Sequence, residues 1–275
     1  MPAAVPSRLV SLAAGTVLGF PPREVIDAAA DAGFGGVGLR WEQPGVPAAA
    51  VEEVRQAVDG AGLVLLDLEV VRLQPDVPVE SFRPLVAVAA ALGARFLLAV
   101  SHHPELARTA DELATIAGWC EGSGVTVAVE PMRFTTVPTF RAASALVRDL
   151  GRDDVVVLVD PLHLQRGGET PAVLTEPGAA AIGYAQLCDA LLTPPGAPED
   201  LEALAHEARH ARLFPGEGEL PLTDMLAALP ADLPCTVEVQ NDGWSGVDAR
   251  GRAREAMRTA RLVLDQAAGF PAHAS

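Results

Sequence analysis

The chain contains no lysine; all twenty of its basic residues are arginine. A Schiff base between a side chain and a carbonyl substrate or pyridoxal phosphate is therefore excluded. The lysine of a phosphate-binding P-loop is missing as well. Positive charge is scarce overall: the formal net charge of −16 argues against a nucleic-acid partner, which needs a basic surface to displace counterions from phosphates. It argues equally against an anionic membrane surface. Cysteine is limited to Cys120, Cys188 and Cys235, too scattered for a disulfide framework or a paired zinc spacing, which suits a reducing cytoplasm. No apolar run approaches the ~18 residues of a membrane-spanning helix. Residues 1–8 lack a basic stretch leading into an apolar one, so no signal peptide is expected.

What is present is apolar: 49% of the residues, mostly Ala, Val and Leu. Short Val- and Leu-rich runs alternate with Ala-rich stretches. They predict strands over 9–12, 36–39, 63–68, 96–100, 125–129, 155–159, 181–187 and 235–237. Helices are predicted over 22–32, 48–61, 79–92, 109–122, 139–150, 170–180, 222–229 and 248–267. Gly33, Gly62, Gly93, Gly124 and Gly151 punctuate the helix ends. A unit of roughly 30–35 residues is the length of a βαβ repeat, and eight such units fit a closed α/β barrel of the (β/α)8 TIM type. The rival, a doubly wound sheet, lacks its Gly-x-Gly-x-x-Gly turn after the first strand; Gly33-Phe-Gly-Gly36 precedes a strand and cradles no phosphate. One domain over 1–275 is expected. The stretch at about 193–220, which breaks the rhythm between the seventh strand and the seventh helix, is expected to be a lid or substrate loop.

Three predicted strands end on a lone carboxylate: Val125-Thr-Val-Ala-Val-Glu130, Val155-Val-Val-Leu-Val-Asp160 and Cys235-Thr-Val-Glu238. A buried parallel strand is a continuous apolar run, and a carboxylate at its end is costly unless it is paired or bound to a metal. Barrel strands direct their C-terminal residues to one mouth, so Glu130, Asp160 and Glu238 should converge there. Gln186, near the end of the seventh strand, supplies a fourth oxygen from the remaining direction. Such a set suits Mg²⁺ or Mn²⁺ better than zinc. Each carboxylate taken alone could equally cap a helix or pair with an arginine.

The segments Val129-Glu130-Pro, Asp160-Pro-Leu-His163, Gln186-Leu-Cys-Asp189, Pro215-Gly-Glu-Gly-Glu-Leu-Pro221 and Val237-Glu238-Val resemble those of the xylose isomerase-like TIM barrels, a family of sugar phosphate isomerases and epimerases. The resemblance runs from about residue 8 to residue 264. It implies one divalent ion held by Glu130, Asp160 and Glu238, Mn²⁺ or Mg²⁺ first, with Co²⁺ or Zn²⁺ as alternatives. It further implies that His163 and Arg212 contact substrate. Gln186 stands where ketose 3-epimerase relatives usually carry histidine. The implied reaction moves a proton on a small polyhydroxy carbonyl compound (a sugar, sugar acid or sugar phosphate) through an enediolate, with Glu130 and Glu238 as the catalytic pair. A metal-dependent dehydration of the dehydroshikimate dehydratase type is the alternative outcome. A barrel that binds a metabolite without turnover is the third. A homodimer would be in keeping with such barrels.

Six further positions, and a set of arginines, complete the candidates. Glu69 could bind a substrate hydroxyl or pair with Arg72. His102 and His103 follow the fourth strand, where a histidine could line the pocket. Trp41 could stack on a sugar ring or pack on the rim. His206 and His210, at i and i+4, have a metal-binding spacing but read better as a solvated helix face. Arg40, Arg72, Arg133, Arg166 and Arg212 each follow a different strand, and guanidinium groups gathered at one mouth point to an anionic substrate.

Overall fold

The computed structural model describes residues 8–41 and 47–269. Eight parallel strands pair in sequence order and close on themselves: β1 Val10–Leu12, β2 Gly36–Arg40, β3 Val64–Leu73, β4 Phe96–Ser101, β5 Thr126–Val129, β6 Val155–Val159, β7 Ile182–Leu187 and β8 Cys235–Val237. Around them lie α1 Pro22–Ala32, α2 Ala48–Gly60, α3 Arg83–Leu92, α4 Leu106–Cys120, α5 Phe140–Leu150, α6 Pro161–Arg166, α7 Leu201–His210, α8 Leu222–Ala228 and α9 Ala249–Ala268. This is the expected (β/α)8 barrel. Among the described residues no helix is long and apolar enough to cross a membrane.

The two-residue period of a strand sorts its side chains. On β5 to β8, Val127, Val129, Val155, Val157, Val159, Ala185, Leu187, Cys235 and Val237 face outward into the large core beneath the helices. The intervening Ala128, Val156, Leu158 and Tyr184 face the lumen, where with Leu66, Leu98 and Val100 they form a packed plug. The interior is thus filled, not a pore. Continuing the same alternation upward places Glu130, Asp160, Gln186 and Glu238 on the inner side, above the plug.

Closure joins residues far apart in sequence. Ser11 pairs with Thr236 across the seam between β1 and β8. Above it, the Thr16 hydroxyl donates to Val237 O at 2.8 Å and accepts from Val239 N at 2.9 Å. These two buried bonds clasp the strand end that carries Glu238.

Two predicted elements differ. The third strand continues past Leu68 to Leu73, with a register shift between Leu68 and Val71, so Glu69 lies within it and Arg72 is carried to the mouth. Helix 170–180 is absent: Pro171–Thr175 forms only a short 3₁₀ turn, and the true sixth helix, α6, starts directly after β6. Asp160 caps α6, its Oδ1 accepting from Leu162 N at 2.7 Å and His163 N at 3.1 Å, with Pro161 in the first turn.

Candidate metal and substrate site

Capping α6 fixes Asp160 and, one turn later, aims His163 back at the mouth. Ligand atoms of Glu130, Asp160 and His163 lie within 4.8 Å of one another, the group of this kind found among the described residues. His163 Nε2 is 3.7 Å from Glu130 Oε1. Glu238 joins the group through Arg212, whose Nη1 donates to Asp160 Oδ2 at 2.5 Å and whose Nη2 lies 3.1 Å from Glu238 Oε2. Arg212 is only 2% exposed. Its Nε donates to Ala208 O at 2.8 Å, its backbone N to Gln240 O at 3.1 Å, and its carbonyl accepts from Asn241 Nδ2 at 2.7 Å. The sequence-level alternatives for Asp160 therefore hold together: it is a helix cap and an arginine partner within the cluster.

The loop that delivers Arg212 is organised by Asp189. This buried carboxylate accepts from Ala190 N, Leu220 N and Gly216 N, each at 2.9 Å. Gly216 adopts φ +84°, and a Cβ at Gly218 would meet Ala190 O and Asp189 Oδ1 at 2.5 Å. The Pro-Gly-Glu-Gly segment is thus a scaffold shaped around Asp189.

Burial sets the charge states. It pushes the Glu130 carboxyl well above its ordinary range, aided by Glu238 and Asp160 nearby. Glu238 is raised to about 7, burial outweighing the attraction of Arg212. Burial opposes ionisation of Asp160 too, but Arg212 and His163 overcome it and hold the carboxyl below its usual value. His163 is lowered by burial to about 4, so its ring is neutral near pH 7. A guanidinium only donates, so the 3.3 Å contact with Arg212 Nη2 gives His163 Nε2 the lone pair and Nδ1 the hydrogen.

The donor set fits a divalent cation. Gln186 Oε1 is buried with no hydrogen-bond partner. No described residue donates a hydrogen bond to the Glu130 carboxylate, and His163 Nε2 lies 3.7 Å from its Oε1. Hard oxygen ligands with one imidazole in reach are what such an ion takes. Polar atoms are also buried in the barrel interior: Ser11 Oγ, Asp67 Oδ1, Tyr184 Oη and Thr236 Oγ1 likewise have no partner among the described residues. Gln186 and Ser11 both pair with Thr236. Asp67, a carboxylate that the apolar reading of β3 passed over, is raised well above its usual range by burial and by Glu69 and Glu238.

The open pocket above this cluster is lined by Arg40, Arg72, Arg209, Arg212, Glu69, Glu130, Glu238, His163, Phe134 and Gln240, among others. Glu69 pairs with Arg40 at 2.8 Å, not with Arg72. Arg72 instead meets His102 at 3.3 Å. His102 is outside the pocket lining and supports Arg72 from behind. Arg166 does not reach the mouth: its forked contacts to Glu207, both 2.7 Å, neutralise it and tie α6 to α7. Arg133 is exposed and outside the lining. Trp41 packs against the outer core and lines a separate groove with Phe20 and Val54. His206 and His210 stack on each other at 4.7 Å on the outer face of α7, as expected. His103 is buried and accepts from Glu105 N.

Arg209 is the residue that sequence reasoning missed. It lies over the Phe134 ring at 5.5 Å, one helical turn before Arg212, and that proximity to the motif arginine was its signal. Neither Arg72 nor Arg209 is within salt-bridge distance of a carboxylate among the described residues. Burial first, then the neighbouring guanidinium groups of Arg209 and Arg40, make Arg72 easier to deprotonate than usual, against the opposing pull of Glu130 and Glu69.

Comparison with known proteins agrees with this architecture. Over 134 residues the chain is 31% identical to a 3-dehydroshikimate dehydratase of Pseudomonas putida, covering 47% of this chain and 20% of that protein. The Pseudomonas aeruginosa 3-dehydroshikimate dehydratase matches at 30% over 160 residues, 56% of this chain and 24% of that protein. The chain thus spans about a quarter or less of the length of these curated relatives. Among solved structures, a xylose isomerase-like TIM barrel/4-hydroxyphenylpyruvate dioxygenase fusion protein superposes with a TM-score of 0.80 at 22% identity, covering 95% of this chain and 43% of that one. The IOLI protein with a bound zinc atom gives 0.79 at 17% identity over 95% and 99%. A D-psicose 3-epimerase gives 0.72 at 16% over 93% and 99%. The family model described as xylose isomerase-like TIM barrel matches residues 26–263, and the chain belongs to that family.

Proposed function

We propose that this protein is a divalent-metal-dependent lyase that removes water from a small hydroxy-ketone bearing a carboxylate. The observation that carries this reading is the pocket wall. Arg72 and Arg209 face the cavity with no ion-pair partner among the described residues, in a chain of net charge −16, and a planar guanidinium pair is the natural receptor for a carboxylate. The curated relatives named 3-dehydroshikimate dehydratase support it.

Glu130, Asp160, Gln186 and Glu238 would hold the ion, with His163 beside them. When bound, the ion would polarise the substrate carbonyl and stabilise negative charge on its oxygen. The rest falls to the chain. Arg72 and Arg209 anchor the carboxylate, and His163 and Arg212 offer polar contacts at the inner end of the pocket. Of the pair Glu130 and Glu238, one takes the proton from the carbon beside the carbonyl. A carboxylic proton leaves with the hydroxyl on the next carbon, so that one water departs and a carbon–carbon double bond forms.

A second reading is an isomerase or epimerase acting on a sugar, favoured by Glu130 and Glu238 both lining the pocket and by D-psicose 3-epimerase and L-ribulose 3-epimerase among the structural neighbours. One assay separates the two. With Mn²⁺ or Mg²⁺ present, 3-dehydroshikimate should lose one water to give a dihydroxybenzoate, followed by its ultraviolet absorbance. Neutral ketoses in D₂O should incorporate no solvent deuterium. Exchange into a ketose with no dehydration of the cyclic acid would reverse the choice.

A further inference from the structure

We propose that Arg212 is a resident cation that competes with a divalent ion for Asp160 and Glu238 and so limits metal affinity. The inference rests on the metal-dependent reading above. Its basis is which oxygens already have donors. Both oxygens of Asp160 already accept hydrogen bonds, Oδ1 from the backbone N–H groups of α6 and Oδ2 from Arg212 at 2.5 Å. Glu238 Oε2 is held at 3.1 Å by the other arm of the same guanidinium. Among the described residues, Gln186 Oε1 has no hydrogen-bond partner and Glu130 has only His163 Nε2 at 3.7 Å.

Neither partner can withdraw easily. A Cβ at Gly15 would strike the Glu238 side chain, so that carboxylate is packed against the backbone of the first loop. Arg212 is fixed at its Nε by Ala208 O and at its backbone by Gln240 and Asn241. A divalent ion entering the cradle therefore meets a fixed like charge and two carboxylates already shared with it. Fully ionised around an ion, the three acids would offer three negative charges, and the fixed guanidinium of Arg212 offsets one of them. Gln186, a neutral donor, restores none of it.

The test is calorimetric titration of Mn²⁺ into chelator-stripped protein, comparing wild type, R212M and R212K. R212M should bind Mn²⁺ roughly tenfold or more tightly than wild type, because the unit charge facing the ion is gone. R212K, which keeps that charge, should stay within about threefold of wild type. R212M leaves Asp160 buried and unpaired, so the melting temperature is read alongside. Mn²⁺ should raise it more in R212M than in wild type, and should restore folding if the stripped variant does not fold alone. Equal or weaker binding by R212M, or a variant that stays unfolded in saturating Mn²⁺, overturns the inference. Absence of Mn²⁺ binding by both wild type and R212M would instead sink the metal-dependent reading beneath it.

Discussion

Glu238 and His163 titrate in opposite senses, and together they define how the metal-free protein should respond to pH. A carboxyl raised to about 7 in the fold holds a proton that the unfolded chain, with a Glu near 4.3, has already released. Stability from that proton is present at low pH and is lost as pH rises through 7. Glu130 and Asp67, raised by the same burial, act in the same direction. His163, lowered to about 4, works the other way, costing stability as pH falls from about 6.5 towards 4. Below 6.5 His163 offsets part of this loss; above it only the carboxyls remain, and the share of Glu238 ends near 7. The chelator-treated protein should therefore melt at progressively lower temperature from about pH 4.5 to about pH 7. Glu238→Gln, which cannot ionise, should flatten that decline, and a decline of unchanged slope in the variant would assign it to other groups. The same substitution should remove at least two orders of magnitude of turnover if Glu238 moves the proton.

At the level of elements, the placement of Arg212 depends on a turn whose organising carboxylate is outside the pocket. Asp189 lies outside the pocket lining, yet it gathers three backbone N–H groups of the turn behind Arg212. Asp189→Ala should cost roughly 2–4 kcal/mol, since buried donors lose their acceptor, and should lower turnover as well by releasing Arg212. Urea unfolding and initial rates on the same sample would check both; full activity in a destabilised variant would separate the turn from the site. Elements of this barrel were readable where physics is local. β5 and β6 are uninterrupted Val runs, and their closing carboxylates Glu130 and Asp160 announce themselves by contrast. β3 was read short because Glu69 and Arg72 interrupt its apolar run beyond Leu68. The helix expected over 170–180 fails because Pro171, Pro177 and Gly178 leave it only one tight turn. What sequence could not show were partnerships across space. The bond between Arg212 and Asp160 spans 52 positions, and Arg209 earns its place only once α7 is folded over the mouth.

On the scale of the whole molecule, charge and closure matter most. A body of net charge −16 repels anions at long range, while Arg72 and Arg209 present positive charge at the pocket wall. Closure is guarded by Thr16, which bonds both sides of Glu238 across 221 and 223 positions. Thr16→Val keeps the shape but strips the hydroxyl, leaving the buried Val239 N–H unsatisfied. It should cost about 2–3 kcal/mol and lower the melting temperature in one cooperative transition. An early partial transition would show instead that the seam opens independently of the rest. The Thr16 clasp also has a temporal meaning. A polypeptide leaving the ribosome carries Glu130 and Asp160 well before Glu238, and the final acid is seated only when β8 reaches back to the earliest strand. Interrupted synthesis, or proteolytic loss of β8, therefore yields fragments that lack one acid of the candidate site, which is assembled only when the ring is whole.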